Sequence, residues 1–188
     1  EGSIRLDGVD LRDYTLDRLR TLVQPIQQDV FLFNDTIRDN IALGLPLSDE
    51  RLEEVARMVQ ADRFIERLPA RYNTRLTEGA SNISTGERQL LSFARILAHD
   101  PRIIIMDEAT SNIDTETEQL IQHAVETVME NRTALVIAHR LSTIKNADRI
   151  IVLSQGELVE MGSHDELIAA EGIYYNLYRL QYQQSEES

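Results

Sequence analysis

RIIIMDEATSNID, residues 102–114, decides the fold class. Its apolar part, residues 103–106, runs without alternation, as a strand buried on both faces of a parallel sheet does. The run ends in two adjacent carboxylates, Asp107 and Glu108. Two comparable runs follow, TALVIAH at 133–139 and RIIVLS at 149–154, and both read as further buried parallel strands. Between the first two lies TETEQLIQHAVETVMEN, with Leu120, Ile121, Ala124, Val125, Val128 and Met129 on one helical face. Thr115 followed by Glu118 spells a capping box at its start. Strand, helix, strand in this order implies a right-handed crossover in a parallel sheet, and hence an α/β fold.

Upstream, the pattern changes to helix. SDERLEEVARMVQ offers Ser48 as an N-cap, acids in the first turn, and apolar Leu52, Val55, Ala56 and Val59. ADRFIERLPARYN follows as a second short helix that stops near Pro69. No strand signal lies between Ile41 and Leu76, so this part reads as a helical insert. The last stretch, SHDELIAAEGIYYNLYRLQYQQSEES, reads as helix with an aromatic stripe and a polar, fraying end.

The 188 residues hold 32 acidic and 19 basic side chains, a formal charge of -13. That balance argues against coating a nucleic acid, which needs a basic face. It leaves room for one polyphosphate, because such a site needs only local donors. Cysteine is absent, which removes disulfides, zinc fingers and thiol catalysis. No apolar run approaches the roughly 18 residues needed to cross a bilayer. The acidic opening EGSIRLDG has neither the basic nor the apolar region of a signal peptide.

Four segments carry chemistry. Asp107 and Glu108 end a strand at the carboxyl edge of the sheet, where open α/β proteins bind ligands. An aspartate there can hold Mg²⁺ through oxygen and water, and a second carboxylate can orient an attacking water. The plain alternative is a polar strand end. In SNISTGERQLLSFARILAHDP, residues 81–101, Ser84 and Glu87 spell a second capping box before a helix with Leu90, Leu91, Ala94 and Leu97. The capping box accounts for both residues structurally but not for Gly86, which costs about 1 kcal/mol relative to alanine in a helix interior. A small residue there would let a phosphate approach the free N–H groups of the helix start. His139 follows the strand TALVIA and reads either as a packed residue or as one more group at the same edge. QPIQQDVFLFNDTIRDNI, residues 24–41, is rich in glutamine, which can accept from a metal-bound water while donating to phosphate.

Taken in this order, the glutamine loop, helical insert, Ser-x-Gly helix start, strand-DE and strand-His resemble the nucleotide-binding domain of ABC transporters. The resemblance covers about residues 2–180. It is most similar to the exporters, through FLFNDTIRDNIALG, EGASNIS, DEATSNIDTETE, IAHRLSTIKNADRIIVL and SHDELIAAEGIYYNLYRLQ. It implies a P-loop NTPase-like fold, a mainly parallel sheet flanked by helices with an inserted α-helical subdomain. The expected parts are a helical subdomain at about 41–100, a core at about 101–165, and a C-terminal helix and frayed tail at 166–188.

The resemblance implies ATP and Mg²⁺ as cofactors and an ATPase coupled to export. Asp107 then holds Mg²⁺, Glu108 is the catalytic carboxylate, and His139 contacts the γ-phosphate. Gln28, with Gln27 as the alternative, is the glutamine on the metal and its water. Residues 83–87 stand where the family signature LSGGQ belongs, so Ser84, Thr85, Gly86 and Glu87 face the nucleotide of a partner domain. Ser111 and Asp114 lie in the loop that touches that partner, and Glu78 in TEGAS resembles the exporter loop that meets the membrane part. The expected partners are a second ABC ATPase domain and a transmembrane domain, with the site on the cytoplasmic face of the membrane.

Two departures stand out. No G-x-x-x-x-G-K-[ST] occurs, and the opening GSIRLDGVDL matches family sequence that follows that loop. The expectation is therefore a fragment cut past its phosphate loop and, alone, inactive on ATP. The signature reads ISTGE, with Ile83 for leucine, Thr85 for glycine and Glu87 for glutamine. The resemblance implies a weakened partner site and favours a heterodimer. Chromosome-maintenance ATPases share several of these elements. They carry a long coiled coil between the glutamine loop and the signature, where this chain has only the short insert. A soluble ABC ATPase of translation or cluster assembly is opposed by the exporter wording.

Overall fold

The structure is a computed structural model that describes residues 2–26, 30–107, 115–137 and 144–186. The chain divides into two units, Glu1–Val136 and Ile137–Ser188.

The first unit opens with an antiparallel pair, β1 (Arg5–Leu6) and β2 (Val9–Asp10). Asp7 and Gly8 join them with φ of 51° and 82°, the two positive values that a tight hairpin turn requires. Helix α1 (Leu16–Leu22) is capped by the Thr15 hydroxyl and leads straight into β3 (Val23–Ile26). β3 pairs in parallel with β4 (Ile103–Asp107), with Val23 level with Ile103 and Ile26 level with Met106. β5 (Thr133–Ile137) completes a three-stranded sheet in the order β3-β4-β5, so β4 is central.

The helices of this unit are α2 (Ile37–Ala42), α3 (Asp49–Met58), α4 (Asp62–Ile65), α5 (Thr85–His99) and α6 (Thr115–Met129). α3 starts where the sequence says, with the Ser48 hydroxyl accepting from the Arg51 N–H at 3.2 Å. Between Ile41 and Leu76 the described elements are helical, and the one β contact described there is an isolated bridge from Arg75 back to Thr36. α5 is the hub, packing against α2, α3 and α6. Its Leu90, Leu91, Ala94 and Leu97 are buried with Val55 and Ile65 of the insert, Ile104 and Met106 of β4, and Ile121, Ala124, Val125 and Val128 of α6. Burying one such aliphatic side chain contributes about 1.5–3 kcal/mol.

Two expectations about the strands change. Uninterrupted apolar runs predict burial on both faces, yet in β4 only Ile104 and Met106 are buried, while Ile105 is 38% exposed. In β5, Leu135 and Ile137 are exposed. The helices cover one face, so burial alternates with the period of the strand. The apolar run RIIVLS predicts a third parallel strand. Instead β6 (Ile150–Ser154) forms an antiparallel hairpin with β7 (Glu157–Gly162). The cause is the turn: Gln155 and Gly156 both have positive φ, 52° and 83°, which closes a two-residue loop and returns the chain beside itself.

The second unit contains this hairpin and two helices, α7 (His164–Ala169) and α8 (Ile173–Glu186). Val152, Leu167 and Tyr174 form its small core. Ser163 and Glu166 form a full capping box on α7. The Glu160 carboxylate, reaching from β7, accepts from the backbone N–H groups of Ile173 (2.6 Å) and Tyr174 (2.9 Å) and so caps α8. The expected aromatic stripe packs here: the Tyr174 hydroxyl lies 2.7 Å from His164 Nδ1, and Tyr178 flanks the core. Among the described residues, no helix is long and apolar enough to cross a membrane.

Candidate functional site

The site builds on two ends: the carboxyl end of the sheet and the start of α5. Because β3 and β4 are parallel with Ile26 level with Met106, β3 ends at the same edge of the sheet as Asp107, the last residue of β4. Asp107 is exposed there. Residues 100–102 connect α5 to β4, so the chain turns back on itself between helix and strand.

The α5 start is closed by the reciprocal pair read from the sequence. Ser84 Oγ accepts from the Glu87 N–H at 3.2 Å, and Glu87 Oε2 accepts from the Ser84 N–H at 2.8 Å. Two of the free donors of the helix start are thereby satisfied. The Ser84 hydroxyl keeps its own proton to donate. Arg88 adds a second layer: Nη2 donates to Thr85 Oγ1 at 2.8 Å, and Nη1 lies 3.4 Å from the carbonyls of Ala80 and Ile83. The preceding loop is fixed by Asn82, whose Oδ1 accepts from the Thr77 N–H and whose Nδ2 donates to the Arg75 carbonyl, both at 3.1 Å. Ile83 is buried under the turn, and Glu78 is exposed beside Gly79.

Gly86 has a packing reason that the sequence did not reveal. A Cβ there would lie 2.1 Å from Thr117 Cγ2 on α6, so the glycine lets the two helices touch. Among the described residues, no group of three His, Cys, Asp or Glu side chains is placed to hold a metal. Asp107, exposed at a strand end, offers one carboxylate oxygen donor of the kind magnesium takes.

The remaining sequence candidates, Gln27, Gln28, Glu108, Ser111, Asp114 and His139, lie outside the described residues, as does the side chain of Thr115 with its expected capping box. Asn40 of α2 and Arg95 of α5, which no sequence motif marks, form a polar connection between the two helices. Asn40 is the one buried polar residue among those described. Its Oδ1 accepts from the Phe33 N–H at 2.8 Å, and its Nδ2 donates to the carbonyls of Phe33 (2.9 Å) and Thr36 (3.0 Å). Arg95 Nε donates to the Asn40 carbonyl at 2.8 Å and Nη1 to the Phe31 carbonyl at 3.1 Å. The only sign in the sequence was a polar residue amid the apolar positions of each helix.

A parallel sheet with an acid at its carboxyl edge and a capped, glycine-containing helix start defines an α/β protein, a class in which ligands bind at the strand ends. Residues 1–111 match the ABC transporter family, and the chain belongs to that family. It is 50% identical over 182 residues to an ATP-dependent lipid A-core flippase of Desulfotalea psychrophila, covering 96% of this chain and 32% of that protein. It is 47% identical over 182 residues to a probable multidrug resistance ABC transporter ATP-binding/permease protein of Bacillus subtilis, covering 96% of this chain and 27% of that protein. Among solved structures, a bacterial Atm1-family ABC exporter with ATP bound superposes with a TM-score of 0.85 at 42% identity, covering 96% of this chain and 32% of that one. The chain thus spans about a third of the length of the relatives it matches.

Proposed function

We propose that this chain is part of the ATP-binding and ATP-hydrolysing domain of an ABC exporter, coupling Mg-ATP hydrolysis at a dimer of such domains to export across a membrane. The observation that supports it most is Asp107 at the end of the central parallel strand, in a chain of this family whose α5 starts with a donor-rich, capped Ser84 turn.

In this reading Asp107 and Gln28 hold Mg²⁺, which neutralises phosphate charge when bound. Glu108 orients and polarises the attacking water, and His139 donates to the γ-phosphate. Ser84, with the backbone of Thr85, Gly86 and Glu87, contacts the nucleotide of the opposing domain, and Ser111 and Asp114 touch that domain. Positioning and electrostatics carry phosphoryl transfer, so few groups need to act chemically.

The partners are a second ABC ATPase domain and a transmembrane domain on whose cytoplasmic face this one sits. The ISTGE signature favours a heterodimer with one weakened site. The domain parts are the helical subdomain at about 41–100, the core at about 101–165 and the C-terminal helix from 166. The 188 residues alone lack the lysine-bearing phosphate loop and are expected not to turn over ATP.

Glu108→Gln in the full-length protein tests the reading. ATP turnover is expected to vanish while ATP-dependent association of the domains persists. Hydrolysis at the parental rate overturns the role of Glu108.

A further inference from the structure

We infer that Arg95 is a positioning residue that ties the glutamine loop to the signature helix, so that the segment serving a domain's own nucleotide and the segment serving its partner's nucleotide move as one piece. The inference rests on the function proposed above and adds a residue to which that reading gives no part.

The tie is built from main chain on one side and a helix on the other. Arg95 sits in the third turn of α5, the helix that begins at Thr85. Its guanidinium reaches Phe31, three positions after Gln28, and Asn40, in α2. Asn40 grips both the N–H and the carbonyl of Phe33, so the chain at 31–33 is held from two directions. These contacts join residues 64 and 55 positions apart in sequence. A side chain that only filled space between helices would not need to donate to a loop carbonyl.

The chemistry of the arginine fits this part. It is half-buried, and burial lowers its affinity for the proton. None of the ion pairs among the described residues involves it, and its polar partners are Phe31 and Asn40. Carbonyl oxygens held by a planar fork fix direction as well as distance, which a lysine ammonium cannot do at two sites at once. α5 is a single 15-residue helix, so a displacement at Arg95 is carried to Ser84. Arg51 offers a built-in comparison. Its Nη2 donates to the Leu97 carbonyl at 3.2 Å, binding α3 to α5 without touching the loop.

The test uses the full-length protein and compares Arg95→Met, Arg95→Lys and Arg51→Met for the ATP dependence of hydrolysis and for thermal unfolding. Arg95→Met is expected to raise the ATP concentration for half-maximal hydrolysis on the order of five- to tenfold, the lower range of site–site coupling. Arg95→Lys is expected to restore part of that, and Arg51→Met to lower thermal stability without moving the ATP dependence. Should Arg95→Met fail to fold, Arg95→Lys carries the comparison, since it keeps the charge and loses the second contact. An unchanged ATP dependence in the folded Arg95 variant overturns the inference, as does an equal shift in Arg51→Met. Glu108→Gln is measured alongside: if it hydrolyses ATP normally, the functional reading fails and takes this inference with it. If it is inactive while Arg95→Met behaves as the parent, only the inference falls.

Discussion

Gly86 on α5 and Thr117 on α6 meet so closely that a Cβ on the glycine would lie 2.1 Å from the threonine Cγ2. Gly86→Ala therefore sets two effects against each other. Alanine gains about 1 kcal/mol of helix propensity, and overpacking against a β-branched side chain costs about 1–3 kcal/mol. The expected net result is destabilisation by about 1 kcal/mol in urea unfolding. Thr117→Ser removes the methyl group and keeps the hydroxyl, so the double variant should recover most of the loss. A Gly86→Ala protein as stable as its parent would show that α6 shifts freely on α5.

The Glu87 carboxylate is bound to the Ser84 N–H at the α5 start, where the family signature has a neutral glutamine. Glu87→Gln keeps an acceptor and removes a charge that favours the helix start by about 0.3–1 kcal/mol. A small loss of stability of that size is expected in denaturant unfolding. In the full-length protein the same change removes a negative charge beside a proposed polyphosphate site, so ATP-dependent association should tighten. Weaker association would show that the carboxylate has another task there.

His99, in the last turn of α5, has a buried Nε2 without a hydrogen-bond partner. Burial pushes its pKa below the ordinary 6.5, the contact with the Ala42 backbone opposes this, and the nearby Arg95 charge lowers it further. The unfolded chain thus binds the proton more readily than the folded one. This contribution to stability is complete above pH 6.5 and is lost as pH falls through the lower folded value. Unfolding midpoints of the parent should therefore decline between neutral and mildly acidic pH more steeply than those of His99→Gln. Parallel curves for the two proteins would remove His99 from the acid response.

Glu160 reaches from β7 to cap two N–H groups of α8. Glu160→Ala leaves both donors without this acceptor and is expected to cost about 1 kcal/mol, the usual size of a lost helix cap. Amide hydrogen exchange at Ile173 and Tyr174 should accelerate while that of α5 stays unchanged. Equal protection in both proteins would mean that solvent caps α8 as well as the carboxylate does.

Much of the fold was legible because it is local. The strand RIIIMD, the Ser48 and Ser84 helix starts, and the apolar face of α6 follow from spacing within a few residues. The hairpin at Gln155–Gly156 was local too, and its two-residue turn was the available signal for the antiparallel pairing of RIIVLS. The strand VQPI gives no clear sequence signal, since four residues containing a proline carry little strand pattern. Its pairing with β4 joins residues 80 positions apart, Val23 with Ile103, a distance that no local pattern reports.

The site divides in the same way. The sequence by itself determined the α/β class, the order of the motifs, the Ser84–Glu87 capping box, and Asp107 as the acid that ends a strand, because each depends on backbone periodicity or on hydrogen bonds spanning three residues. Only the tertiary structure decided that Gly86 is a contact with Thr117, that Arg95 and Asn40 hold the chain at Phe31 and Phe33, and that one face of the sheet carries the helices. These are contacts between segments distant in sequence. Their side chains are chosen by the shape and polarity of what they meet across the packed interior, and that is set only when the chain has folded.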